Sequence, residues 1–270
     1  MQTTSSLQNN RGFLYGDAVF ETVKILDNKI LFLEDHYFRL MASMRILRME
    51  IPMNFTMEFF ESEILTAAQS ENIETSARAR MTIYRKDGGF YLPENNNIDY
   101  IISVSKIENP LYQVEETEYE VDIYKDFYVS KQLISTLKST NKLINITGSI
   151  YAEENGLDNC ILLNEERNVV EVLQGNIFML KDGILSTPPL SEGCVNGIMR
   201  KQILALAKSI ETIEVQEATI SPFDLQKADE LFLTNVIKGI QPITKYRKKE
   251  FETKISNVLL TKLNTKVRLG

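Results

Sequence analysis

After residue 118 the chain is cut into short apolar runs, each ended by a turn signal, and this punctuation limits the fold more than any other feature. Strands are predicted over 118–124, 160–163, 169–172, 177–180, 212–217 and 230–235, with Asp182-Gly183 turning the chain into a further strand at 184–186. Two helices interrupt the series. One spans 140–155 and is closed by Gly156 as its C-cap; the other spans 198–209 and begins where the loop from Pro188-Pro189 ends at Gly197. Many short strands with few helices fit a barrel-like domain.

The first half reads differently. Apolar runs at 19–26 and 30–33 are split by Asp27-Asn28, a hairpin signal. Between 35 and 49 the residues Tyr37, Leu40, Met41, Met44 and Leu47 recur at helical spacing, and 55–72 is a second helix. Strands at 80–85 and 99–104 flank a loop, 86–97, rich in Gly, Pro and Asn. Asn109-Pro110, within 106–113, marks a domain boundary. The expected fold class is α+β in two domains: a small α+β domain over 1–107, and a larger barrel-like domain over 108–270 that carries Lys138.

Composition narrows the chemistry. With 43% hydrophobic and 25% charged residues in 270, the chain is an ordinary globular protein. No apolar run approaches the roughly 20 residues that span a bilayer. The opening Met1-Gln2-Thr3-Thr4-Ser5-Ser6 is polar, without the apolar core of a signal peptide. A soluble, cytoplasmic protein is expected. Two cysteines, Cys160 and Cys194, are too few for a disulfide framework. One histidine, His36, excludes a His-rich metal site and disfavours a Ser-His or Cys-His nucleophile. A net charge of −7 argues against a nucleic-acid partner. Lysine, carboxylates or a cofactor remain.

Several residues suit such chemistry. Lys138, in Leu137-Lys138-Ser139-Thr140-Asn141-Lys142, sits where a loop enters a predicted helix, whose dipole would lower an amine's pKa. Spacing alone does not separate it from Lys142. Glu171 ends a short strand, where a carboxylate can hold a protonated ring nitrogen. The stretch Ser191-Glu192-Gly193-Cys194-Val195-Asn196-Gly197-Ile198-Met199-Arg200 runs into a helix start suited to an anion, although it is neither a Walker A loop nor a GxGxxG fingerprint. Thr234-Asn235-Val236 could add an amide to the same anion. Arg39 has the donor fork of a phosphate clamp, yet lies off the apolar stripe of its helix. His36 reads as a capping or packing residue.

In order, these pieces resemble one family. Arg11-Gly12-Phe13-Leu14-Tyr15-Gly16-Asp17-Ala18-Val19-Phe20-Glu21-Thr22 is similar to the "RGxxYGDGxFET" opening of the class IV (fold type IV) aminotransferases. His36-Tyr37-Phe38-Arg39-Leu40 resembles their "HxxRL", Lys138-Ser139-Thr140-Asn141 their "KxxN", Glu171 to Phe178 their "E…NxF", and Gly197-Ile198-Met199-Arg200 their "GI[TM]R". The resemblance covers nearly the whole chain. It implies pyridoxal 5′-phosphate as cofactor, and Lys138 as its Schiff-base lysine and proton shuttle. Glu171 would face the pyridine nitrogen, near Asn176 of the same motif. Arg39 and the backbone around Gly197, Ile198, Met199, Asn235 and Val236 would bind the phosphate. Phe20 and Arg85 would contact the substrate.

A homodimer with its active site between two domains is implied as well. The motif around Gly197 is most similar to the 4-amino-4-deoxychorismate lyases, which release pyruvate and leave 4-aminobenzoate for folate synthesis. A branched-chain or D-amino acid aminotransferase is the alternative, and a non-catalytic cofactor-binding homologue the remote one. Phe90 stands where a second substrate arginine is expected, and a short N-terminal sheet without the first family strand is expected, since the "RGxxYGD"-like segment lies close to Met1.

Overall fold

The computed structural model describes residues 7–73, 75–113 and 117–269. The polar opening at 1–6 lies outside the described residues. The chain packs as two units. One holds the chain up to Pro110 together with Leu137–Asn141; the other holds Leu111–Thr136 and the chain from Lys142 onward. The segment Leu137–Asn141 therefore packs with the first unit, whereas a single cut after residue 107 assigned Lys138 to the second. Backbone pairing is the cause. Phe20 N donates to Lys138 O at 2.8 Å and Thr140 N to Ala18 O at 3.1 Å, which satisfies an edge of the first strand that no neighbouring strand covers.

The first unit begins with a short helix, α1 (Arg11–Tyr15), capped by the Asn10 side chain. Strand β1 (Ala18–Leu26) turns through Asp27 and Asn28 into β2 (Lys29–Ile30). Both turn residues have positive φ, 48° and 59°, as a type I′ hairpin requires. Helices α2 (Leu33–Ile46) and α3 (Met57–Ser70) follow, then β3 (Ser76–Arg85) and β4 (Ile98–Lys106). The predicted strand at 30–33 stops at Ile30, because Phe32 takes a left-handed φ of 58° and Leu33 already opens α2.

The sheet order is β2-β1-β3-β4, antiparallel throughout. Side chains alternate between its faces. Val19, Val23 and Ile25, with Ala77, Ala79, Met81 and Ile83, pack on Leu40, Met44, Phe60 and Ile64 of the helices. Glu21 lies in that apolar row. The opposite face carries Phe20, Thr22 and Lys24, in register with Thr82, Arg80 and Arg78.

The second unit holds β5 (Glu120–Ile123), α4 (Leu143–Glu154), β6 (Asn159–Leu163), β7 (Val169–Val172), β8 (Asn176–Lys181) and β9 (Ile184–Thr187). After these come α5 (Ile198–Ala207), β10 (Glu214–Glu217), α6 (Pro222–Leu225), β11 (Glu230–Asn235), β12 (Gly239–Ile243), β13 (Lys245–Tyr246), β14 (Lys249–Glu250) and α7 (Lys254–Leu269). The strands form two mixed sheets, β10-β9-β8-β11-β12 and β14-β13-β5-β6-β7. Both contribute to one apolar core, with Ile177, Leu231 and Ile243 from the first and Val121, Ile161 and Val172 from the second. Strand β6 is buried on both faces: Ile161 and Leu163 enter this core, while Cys160 and Leu162 pack beneath α4.

One irregularity aims a side chain. Opposite β6, Val172 pairs with Ile161 and Glu171 with Leu162, but Leu163 pairs with Val169. Val170 is the extra residue of a β-bulge. Strict alternation from Val169 would have turned Glu171 into the apolar core. The bulge lets Val169 and Val172 both enter that core while Glu171 points to the other face.

On the second face of the other sheet, Phe178 of β8 stacks on Phe232 of β11, centroids 5.1 Å apart, both fully buried. Phe232→Ala is expected to lower the unfolding free energy by about 3–5 kcal/mol, read from the urea midpoint against the wild type.

Candidate active site

Lys138 lies on the extended strip beside β1, its Nζ 4.7 Å from the centre of the Phe20 ring. The sequence expected it at a helix start; α4 begins only at Leu143, with Lys142 as its N-cap, so a helix dipole does not act on Lys138. A second cation shares the same ring: Arg80 Cζ lies 3.7 Å from its centre. Phe20 is thus bracketed by an amine and a guanidinium, each drawn to the ring's negative face. Arg80 Nε also donates to Thr82 Oγ1 at 3.1 Å, fixing the guanidinium along the strand. Arg80 was missed in the sequence because its relation to Phe20 comes from the β1–β3 register. Further along this face, burial brings the Lys24 ammonium down to about 8.

On the helix side of the same sheet, Glu21 gathers α2. Arg39 Nε donates to its Oε1 at 2.7 Å and Arg39 Nη2 to its Oε2 at 2.5 Å; His36 Nδ1 lies 2.6 Å from Oε2. Burial would raise the Glu21 carboxyl, but the Arg39 charge and the His36 and Arg39 hydrogen bonds together hold it at about 2. Burial also lowers the pKa of His36 against the pull of Glu21. A neutral ring facing an ionised carboxylate donates through Nδ1–H. Arg39 is therefore no surface residue: its side chain is 9% exposed, and its fork is oriented by an acid beneath it.

Arg85, to which the resemblance gave a substrate role, directs four hydrogen bonds to the protein itself. Nε bonds Asp17 at 2.9 Å, Nη1 bonds Asn96 Oδ1 at 2.5 Å and Arg48 O at 3.3 Å, and Nη2 bonds Leu47 O at 2.7 Å. Asp17 is shared with Arg11, whose Nη1 reaches Phe90 O at 2.6 Å. Arg85 locks this corner of the first unit, and the neighbouring Phe90 side chain is exposed.

In the second unit, Glu171 is 8% exposed and its Oε2 accepts from Val195 N at 3.0 Å. Asn176 Nδ2 donates to Val195 O at 2.8 Å, so Glu171 and Asn176 hold opposite sides of one peptide segment. That segment leads to Gly197, the N-cap of α5, which has no side-chain cap and no acid in its first turn. The first amides of a helix have no partner inside it, and a Cβ on Gly197 would run into Asn176 Oδ1. Asn176 faces Thr234 across the β8–β11 pairing, and Thr234 Oγ1 is buried without a hydrogen-bond partner.

Uncapped amides at Ile198 and Met199, a tight glycine and an unsatisfied hydroxyl fit a phosphate group. Asn235 does something else with its side chain: Oδ1 caps the turn into β12, accepting from Ile237 N at 3.0 Å and Lys238 N at 2.9 Å. Val236 O accepts from Tyr112. Burial, and then the Glu171 charge, push the Cys194 thiol up to about 12, which removes it as a nucleophile.

Residues 18–246 match the family model described as amino-transferase class IV. A protein of Methanocaldococcus jannaschii provisionally named a branched-chain-amino-acid aminotransferase is 32% identical over 87% of this chain and 80% of its own. An aminodeoxychorismate lyase of Vibrio harveyi is 24% identical over 87% of this chain and 85% of its own. A solved Legionella pneumophila structure, provisionally named a 4-amino-4-deoxychorismate lyase, superposes with a TM-score of 0.85 at 25% identity, covering 98% of this chain and 96% of that one.

Glu21 makes stability acid-sensitive. A carboxyl held at about 2 rather than the ordinary 4.5 stabilises the fold fully above 4.5, and that contribution is lost as pH falls toward 2. Urea titrations should show Glu21→Gln less stable than the wild type at pH 7, with the gap closing between pH 4.5 and 2. Arg85→Met is expected to cost about 1–3 kcal/mol, since it strips the half-buried Asp17 carboxylate of one of its two cations and withdraws its donors from two backbone carbonyls.

Proposed function

We propose, from the premise that this chain belongs to the class IV aminotransferases and is a pyridoxal-phosphate-dependent enzyme, that it eliminates pyruvate from 4-amino-4-deoxychorismate to leave 4-aminobenzoate. The observation that carries this reading is the cationic sheet face of the first unit. Arg80 and Lys138 flank Phe20, and Lys24 and Arg78 pair two residues further on. Such a face suits a substrate with two carboxylates better than one with an aliphatic side chain. The match to the Legionella protein leans the same way.

Each residue then has a role. The α5 amides at Ile198 and Met199, with Thr234 Oγ1, would hold the cofactor's phosphate, and the family resemblance gives Arg39 a phosphate contact as well. Glu171 would accept a hydrogen bond from the cofactor's ring nitrogen and keep it protonated. Bound there, the cofactor supplies an electron sink for charge developing on the carbon that bears the substrate's amino group. Lys138 Nζ takes the proton from that carbon. The bond from the neighbouring carbon to the enolpyruvyl oxygen then breaks, the ring becomes aromatic, and the proton leaves with pyruvate. Arg80 holds a substrate carboxylate throughout.

Transamination is the second reading, favoured by the 32% identity to a provisionally named aminotransferase. In that reaction Lys138 would hold the proton after taking it and release it again during amino-group transfer, and Arg80 would receive the carboxylate of an acidic amino donor. The reading also includes a homodimer: Phe90, Tyr91 and Leu92 are exposed together, and the Tyr91 ring lies 5.8 Å from that of Tyr15. Two buried, unpaired cysteines suit a reducing compartment, and we assign the activity to the cytoplasm.

Assays of 4-aminobenzoate and pyruvate release, run beside amino-group transfer to 2-oxo acids, separate the two reactions. Lyase turnover is expected; transfer without 4-aminobenzoate would select the second reading. Arg80→Met should raise KM for the carboxylate substrate by about tenfold or more, as the loss of a charged hydrogen-bond partner does, while pyridoxal phosphate still binds. An unchanged KM would remove Arg80 from substrate recognition.

A further inference from the structure

Glu192 lies outside every motif that carries the family resemblance, yet four side chains from three other segments converge on its carboxylate. Oε2 accepts from Asn164 Nδ2 at 2.6 Å and Asn168 Nδ2 at 3.1 Å. Oε1 accepts from Thr219 Oγ1 at 3.1 Å and Lys131 Nζ at 3.5 Å. Its main-chain oxygen also accepts from Asn164 Nδ2, at 3.2 Å. The side chain is 7% exposed. Burial would raise its pKa, but the Asn168, Asn164 and Thr219 hydrogen bonds and the Lys131 charge outweigh it and keep the group ionised.

A buried carboxylate whose one ion-pair partner among the described residues, Lys131, is 3.5 Å away is a poor source of stability. It is an effective fixed point, because four directional donors leave it one position.

What it fixes is the start of a short path. Gly193 follows at a φ of 100°, where a side chain would strain the backbone and collide with Ser130 O. Two residues on, Val195 N binds Glu171 Oε2. Asn176 steadies the far side of that segment, while Glu192 pegs its near end with side-chain bonds to distant segments.

We infer that Glu192 is a positioning residue for the Glu171 carboxylate, acting through the Glu192–Val195 segment and the Val195 amide. The inference rests on the proposed role of Glu171 toward the cofactor's ring nitrogen. Glu192 touches neither substrate nor cofactor in this scheme; it sets where Glu171 stands.

The test is a double-mutant cycle on the holoenzyme, read by the pH titration of its visible absorption band. Glu192→Gln keeps the side chain's size but turns an amide toward two of the four donors. The band's midpoint should move by about half a unit or more, in the direction that Glu171→Gln moves it. In a Glu171→Gln background the same substitution should move it little, the non-additivity expected of residues that act in series. Thr219→Val removes one donor at constant volume and should give a smaller shift of the same sign; it also serves if Glu192→Gln does not fold.

A lowered thermal midpoint with an unmoved band in either variant would make Glu192 a structural residue only and overturn the inference. So would equal shifts in both backgrounds. A wild-type protein with no visible band after incubation with pyridoxal phosphate would instead bring down the proposed function, and this inference with it.

Discussion

Two backbone hydrogen bonds, Phe20 N to Lys138 O and Thr140 N to Ala18 O, decide where Lys138 stands. They take five residues from the second half of the sequence and use them to cover an open strand edge in the first unit. Once Lys138 is fastened there, its neighbours follow from strand register. Phe20 lies under its amine, Arg80 lies on the same ring, and the sheet's alternation puts Thr22, Lys24 and Arg78 on the same face. The other face of β1 is apolar except for Glu21, which is tolerated because Arg39 neutralises it and Arg39 and His36 hydrogen bonds orient it. One strand therefore serves two purposes, with a cationic surface on one side and an oriented arginine on the other.

The second unit solves a different problem, which is to hold an acid near buried apolar strands without burying it among them. The bulge at Val170 turns Glu171 away from the core that Val169 and Val172 enter. The amide of Val195 then fixes one carboxylate oxygen, and the same segment ends at the uncapped start of α5. The uncapped helix start and the carboxylate are thus set by one stretch of chain, and a displacement of that stretch would move both.

Much of this was legible in the sequence, and the gaps have physical causes. The order of motifs singled out Lys138, Glu171 and the Gly197 turn, although spacing alone did not separate Lys138 from Lys142. Arg39 looked superficial on a helical wheel because apolar periodicity ignores polar partners; Glu21, 18 residues earlier, is what buries it. Arg80 and Glu192 gave no local signal, since the meaning of each depends on residues brought by register or by distant turns. The bonds of Arg85 to Asp17, Asn96 and two backbone carbonyls were not legible either, since a motif does not reveal what an arginine's donors meet. The bulge at Val170 was hidden because all three valines around Glu171 are equally apolar. Helix α7 was overlooked, although Leu259, Leu260 and Leu263 have the spacing of a buried face.

The most direct measurement is borohydride reduction of the protein after incubation with pyridoxal phosphate, followed by peptide mapping of the label. The account predicts a visible band that is lost on reduction and a label on Lys138, absent in Lys138→Ala. A label on Lys142, or on Lys24 with its lowered pKa, would contradict it, and a protein that takes up no cofactor would leave this site without its chemistry.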